Sequence, residues 1–252
     1  MKVAVAFKVV PDDEDIAVNA DRTLDFRRAK PVVSTYDLNA IEFAATAFPG
    51  AEVVALTVGD ESVEDSKLKK NVLARGVDRL YAVVGDDYAA ADARVTACAL
   101  AAAIRRIGDV DVVVFGDGSA DRYAQQVNAQ VAVELGVPSI TCVVEARAEG
   151  DAVRATRVLE TVRETVEAAF PCVLSVLPEA ALPRICTMKE ILAAGKKPAS
   201  VLDLGDAGAV PAATETIEVL APLPAVRANV VLDASRDGAV EQFAAALRQA
   251  IQ

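Results

Sequence analysis

The chain of 252 residues is long enough for one large α/β domain, or for a domain with a substantial arm. Its formal charge of −11 argues against a nucleic-acid partner, which needs clustered Lys and Arg, and no apolar run reaches the roughly 18 residues of a membrane helix. Histidine is absent, which excludes Ser-His-Asp and Cys-His nucleophile systems and imidazole zinc sites, so any chemistry must rest on carboxylates, Lys, Tyr or a bound cofactor.

The first 145 residues alternate strand and helix patterns. Short, β-branched, apolar runs at 2–10, 52–58, 79–85, 110–116 and 139–145 have the composition of strands buried on both faces of a parallel sheet. Helices are predicted between them. Residues 37–48 place Leu38, Ile41, Ala45 and Phe48 on one face; 62–75 end at Gly76; the Ala-rich 89–107 end before Gly108; and 121–135 end at Gly136 with Pro138 beyond. The alternation predicts a doubly wound, mostly parallel sheet. From about 150 the rhythm changes. Residues 152–170 alternate like an antiparallel hairpin, 171–177 read as one more buried strand, and 178–237 are irregular before a last helix at about 238–250. The beginning, "MKVAVAFKVVPDDED", has acids where a secretory signal would have its cleavage site. Cys98, Cys142, Cys172 and Cys186 form no CxxC pair and are expected as small buried hydrophobes.

Ligands of doubly wound sheets bind outside the carboxyl ends of strands, where strand order reverses. The most suggestive end is "VVVFGDGSADRYAQQV". Gly116 and Gly118 permit close backbone approach, Ser119 can cap the following helix, and free N–H groups at that helix start can hold an anion without a lysine. Asp117 and Asp121 argue against a triphosphate. Taken alone, the loop fits both a nucleotide site and an ordinary strand-to-helix turn. In "VVSTYDLNAIEFAA", Ser34 or Thr35 can cap a helix with Asp37 in its first turn, and Tyr36 at the helix mouth can pack against a base.

Four stretches together resemble the β subunit of electron transfer flavoproteins, nearest to the branch associated with nitrogen fixation and anaerobic carnitine metabolism. They are "VPDDEDIAVNADRTLDF" (10–26), "STYDLNAIEFA" (34–44), "GDGSADRYAQQV" (116–127) and "MKEILAAGKKP" (188–198), in the family's order across essentially the whole length. The resemblance implies a Rossmann-like adenine-nucleotide-binding domain over 1–180. It further implies a recognition loop and extended C-terminal arm over 181–252 that wraps a flavin-bearing α subunit as a heterodimer. The expected ligand is AMP, or in electron-bifurcating members the adenylate half of a second FAD. The first FAD is held by or shared with the α subunit, which makes the chain an electron-carrier subunit rather than a stand-alone enzyme. Contacts carried over by position are Ala6, Ser34, Thr35, Tyr36, Asp37, Val58, Gly116, Asp117, Gly118, Ser119, Ala120, Asp121, Arg122, Tyr123, Ala124, Gln125, Gln126 and Val127. The late segment is similar to the family's docking loop for acyl-CoA or related dehydrogenases, with Met188 as anchor flanked by Ile185, Ile191 and Leu192, and Lys196 and Lys197 free to steer acidic partners. A quinone oxidoreductase is a further partner, and the location implied is the bacterial cytoplasm, without membrane insertion.

Two positions depart from the family pattern. "TRVLETVRETVE" keeps Arg157 but has Val158 where the family has a Glu, with Thr161 and Val162 at the expected turn, and Asn128 replaces a common glycine. The alternative is a stand-alone nucleotide-binding regulatory module of the stress-protein type, which shares the alternating architecture but leaves residues 178–252 unexplained.

Overall fold

The computed structural model describes residues 1–223 and 229–251; residues 224–228 and 252 of the expected arm lie outside the described residues. In chain order the elements are β1 (Lys2–Ala6), β2 (Val9–Pro11), β3 (Ala17–Val18), β4 (Leu24–Asp25), β5 (Pro31–Val33), α1 (Thr35–Ala47), β6 (Glu52–Gly59), α2 (Ser66–Leu73), β7 (Arg79–Val84), α3 (Ala93–Ile107), β8 (Val112–Gly116) and α4 (Val127–Leu135). There follow β9 (Ser139–Glu149), β10 (Ala152–Val158), β11 (Arg163–Ala169), β12 (Cys172–Val176), α5 (Met188–Ala194), β13 (Ala199–Val201) and α6 (Ala239–Ile251).

The main sheet has the order β11-β10-β9-β12-β8-β1-β6-β7-β13. Pairing is parallel from β9 to β13, and β9, β10 and β11 form an antiparallel meander at the other edge. The mostly parallel α/β fold expected from the sequence is therefore observed. From β1 the chain steps outward through β6 to β7, then crosses back and continues from β8 on the opposite side of β1. The carboxyl ends of β1 and β8 thus flank the point where strand order reverses.

Strand alternation divides the interior into two cores. Val3 and Val5 of β1 face α1 with Ala40, Ile41 and Ala44, while Ala4 and Ala6 join Ala97, Leu100 and Ile104 of α3. Small residues on α3 let the helix lie close to the sheet. Asp92 starts α3 by accepting the Val95 N–H at 2.9 Å. Ile41 is fully buried, so truncating it to Ala should cost about 2–5 kcal/mol.

Local sequence explains where the patterns break. The apolar run 2–10 is not one strand: β1 ends at Ala6, and β2 pairs antiparallel with β5 in a separate ribbon. The helix predicted over 62–75 is shorter, because Asp65 accepts the N–H groups of Lys67 and Leu68 and fixes the start of α2. The irregular stretch after 178 contains α5 and β13, and β13 adds to the sheet edge beside β7 before the chain leaves the body. Beyond it, Asp92 also accepts the N–H groups of Ala213 and Thr214, and the Ala221 N–H donates to Arg22 O, so the tail is stapled to α3 and to the β3–β4 hairpin. Cys98 and Cys172 are buried, Cys142 and Cys186 half-buried, and all four are free thiols.

Candidate functional site

The crevice at the ends of β1 and β8 is assembled around the first turn of α1. Ser34 stands at the N-cap of this helix, but its hydroxyl makes no cap bond; instead Oγ accepts the Ala120 N–H at 3.3 Å and ties α1 to the loop after β8. Asp37, buried, accepts the Lys8 N–H at 2.8 Å and is also bonded by the Gly116 N–H. One carboxylate thus joins the ends of β1, α1 and β8. Burial pushes the Asp37 carboxyl up to about 7, against the pull of those two N–H groups. Gly116 is required here: a Cβ would lie 2.7 Å from Asp37 Oδ1 and 2.9 Å from the Tyr36 carbonyl.

The loop after β8 differs from its sequence reading in one respect. The helix expected from 121 begins only at Val127, so Ala124 lies outside it and Ser119 caps nothing. The reason is side-chain chemistry in the loop. Asp117 is buried and accepts from the Tyr123 hydroxyl and from Gln125 Nε2, at 2.7 Å for the latter. These bonds hold Tyr123 and Gln125 in the left-handed region, at φ 46° and 55°, where a helix cannot run. The Tyr123 hydroxyl, donating to that carboxylate, is pushed up to about 12. Gly118 makes room for the same ring, since its Cβ would sit 2.5 Å from Tyr123 Cδ2. Both loop glycines therefore serve the protein's own packing before any ligand is considered.

Neither loop acid is left free. Asp121 Oδ2 receives the Lys8 ammonium at 2.5 Å; burial raises this carboxyl, but Lys8 and the Ser119 hydroxyl outweigh it and hold it low. The loop has no lysine of its own, and Lys8, which arrives from the end of β1, was not foreseen from the sequence. Arg122 is exposed and has no ion pair among the described residues, and α4 starts without a side-chain cap, leaving the first-turn N–H groups of Val127, Asn128 and Ala129 without an acceptor among the described residues. The buried Asn128 Oδ1 likewise has no donor. The Tyr36 and Tyr123 rings pack with centroids 5.0 Å apart and tilted by 46°, and Ala6 and Val58 lie near the carboxyl ends of β1 and β6 on the same side of the sheet.

A second cluster lies further along α1. Asn39 Nδ2 donates to the carbonyls of Pro178 and Ala181 at 2.9 and 2.7 Å. Glu42, buried, accepts Nε and NH2 of Arg184 at 2.7 and 2.8 Å, and the Arg184 N–H at 3.2 Å. Burial raises the Glu42 carboxyl, but the Arg184 guanidinium overrides it and holds it below the ordinary range. Arg75 donates to Arg184 O from the end of α2. On this footing the segment 182–192 projects Ile185, Met188 and Leu192, which are 94%, 71% and 68% exposed, whereas Ile191 turns inward against the core. Thr187 and Glu190 form a reciprocal capping box at the start of α5. Lys197 is not a free steering charge: its ammonium donates to the carbonyls of Leu73 and Val77 and closes the end of α2. Asn39 and Glu42 lie in the stretch 34–44 but had no role assigned, and Arg184 carried no motif signal; only the three-residue spacing of Asn39 and Glu42 on one face of α1 could have suggested a shared role.

A family model described as the electron transfer flavoprotein domain matches residues 23–207, well over half of the chain. The chain belongs to this family. Its electron transfer flavoprotein domain includes the crevice loops, the hairpin and the projecting segment. In the hairpin, Arg157 pairs across the strands with Glu164 at 2.7 Å, and Leu159 N–H closes a tight turn on Val162 O. The Val158 position has no carboxylate of its own, and the neighbouring arginine finds one on β11 instead. No helix among the described residues is long and apolar enough to cross a membrane.

Proposed function

We propose that the chain is the β subunit of a heterodimeric electron transfer flavoprotein, with the β1–β8 crevice holding an adenine nucleotide. The observation that carries this reading is the convergence of Ser34–Asp37 and Gly116–Val127 at the reversal of strand order, in a chain of this family. The residues fit such a group. Unengaged N–H groups open α4 and two tyrosines stand at the mouth, which suits one phosphate or a pyrophosphate beside an aromatic base, while the unpaired Asn128 Oδ1 can accept only from a hydroxyl or amino group of such a ligand. Lys8 neutralises Asp121, and Asp117 is turned toward Tyr123 and Gln125, which lessens the charge objection to an anion at this place.

The ligand is AMP or the adenylate half of a second FAD. The flavin, held with the α subunit, supplies the redox chemistry when bound. This chain's own residues position the nucleotide, and the projecting segment docks the partner dehydrogenase, an acyl-CoA or related enzyme, through Met188, Ile185 and Leu192. Beyond 207 the tail forms the arm that wraps the α subunit. Support comes from α6, which leaves Val240, Phe243, Leu247 and Ile251 exposed at helical spacing. A stress-protein-type module needs only a domain of roughly 150 residues, whereas the family match runs on to 207. Co-expression with an α subunit of the family tests the reading. A yellow 1:1 complex is expected; a stable, colourless monomer that ignores the α chain would remove it.

A further inference from the structure

A hollow of about 630 Å³ lies between α2 and the root of the projecting segment, lined among others by Lys67, Lys70, Arg75, Arg184 and Ile191. Its charge is lopsided. Arg184 is neutralised by Glu42, but Lys67, Lys70 and Arg75 form no ion pair among the described residues, while Lys69 on the same helix is paired with Glu64. Two acids nearby stay charged, Asp65 on the first N–H groups of α2 and Glu190 in the capping box with Thr187, but the unpaired cations outnumber them. Lys189 on α5 and Lys196 just beyond it add two exposed cations. In a chain of net charge −11, this is a local reversal of sign directly beside three exposed apolar side chains.

We propose that α2 and the projecting segment form one composite docking surface, whose partner presents an apolar socket for Met188, Ile185 and Leu192 rimmed by Asp and Glu that settle on Lys67, Lys70 and Arg75. The inference rests on the docking reading above and adds the chemistry of the partner. Two physical points favour such an occupant over a second copy of this chain. Copies carrying −11 each repel, and an exposed apolar plug on a fixed footing supplies affinity while a cationic rim sets encounter rate and orientation. The footing is rigid on both sides: Glu42, Asn39 and Arg75 hold the segment, and Lys197 locks the end of α2.

The test uses the intact heterodimer and the purified acyl-CoA dehydrogenase that reduces it fastest, following flavin reduction at limiting concentrations. Lys67→Glu with Lys70→Glu should lower the second-order rate constant about tenfold at low ionic strength and flatten its salt dependence. Lys67→Gln with Lys70→Gln should give a smaller loss, and rates at high salt should approach those of wild type. Both positions are exposed, so thermal stability and nucleotide content should not change. Met188→Ala should slow reduction at every salt concentration. Unchanged rate and salt slope in the charge-reversed pair, with Met188→Ala impaired, overturns the acidic-rim proposal alone. Equal rates for Met188→Ala and wild type, or no dehydrogenase that reduces the wild-type heterodimer, removes the docking reading and this proposal with it.

Discussion

Asp37 and Glu42 are two buried carboxylates on one helix, a turn and a half apart, and they are handled in opposite ways. Asp37 receives only backbone N–H groups, because the one ammonium in reach, Lys8, is drawn to Asp121; burial therefore dominates and the acid titrates near neutrality. Glu42 has a guanidinium in bidentate contact and stays charged. The first arrangement builds a crevice whose acids are occupied and whose remaining donors are backbone N–H groups and Arg122. The second pins a segment from beneath with polar bonds so that its apolar side chains stay outside. One helix thus organises both the proposed ligand crevice and the proposed docking surface, and the protonation state of each end is set by whether a cation was placed beside it.

Breaking the crevice end should have the largest effect. Gly116→Ala forces a Cβ to within 3 Å of the Asp37 carboxylate and the Tyr36 carbonyl, and should destabilise the fold by about 3 kcal/mol. For a chain of this size that lowers Tm by about 6–12 °C in a thermal scan, with loss of any bound adenylate.

At the docking end, Met188→Ala should weaken association with the partner dehydrogenase by about 2 kcal/mol and leave Tm unchanged, because the side chain is mostly in water. Titration calorimetry and a thermal scan on the same preparation separate the two outcomes.

The contrast between the acids is sharpened by pH. The folded-state value of Asp37 lies above its unfolded value, so between about pH 4 and pH 7 the folded chain keeps a proton that the unfolded chain has lost. Its contribution to stability therefore falls as pH rises, by on the order of 2 kcal/mol from pH 5 to 7, and levels off above the folded value. Asp37→Asn should flatten that slope in urea unfolding at stepped pH; an identical slope in the mutant contradicts the assignment.

Glu42 works in the other direction. Its folded value is depressed, so its contribution is present at neutral pH and is lost as pH falls through the acid range. Glu42→Gln should cost about 1 kcal/mol at pH 7, since Arg184 is partly exposed and solvent screens the pair. The loss should shrink as the pH is lowered, and hydrogen exchange should rise selectively over 182–192.

Much of the body was legible because two-faced burial leaves continuous β-branched runs, and Gly136 and the Ala-rich 93–107 mark helices by composition. The crevice residues lay close together in two short motifs, so sequence found Ser34, Asp37 and Gly116. It misjudged 121–126, because the helical spacing of Ala124, Val127 and Val131 is real while Asp117 competes for the backbone through Tyr123 and Gln125. Lys8 and the Glu42–Arg184 pair were invisible because they depend on strand order and on contacts 113 and 142 residues apart. The split of 2–10 into β1 and β2 was hidden for the same reason, since both halves are equally apolar and only the partner strand distinguishes them.

The adenine nucleotide proposed for the β1–β8 crevice should be present in the assembled flavoprotein. The most direct test is the cofactor count of the purified heterodimer, released by denaturation and resolved by chromatography. Two adenylate-bearing groups per heterodimer are expected, either one FAD with one AMP, or two FAD and no AMP, the latter marking a bifurcating protein. One FAD and no second adenylate, in a folded complex, would contradict it.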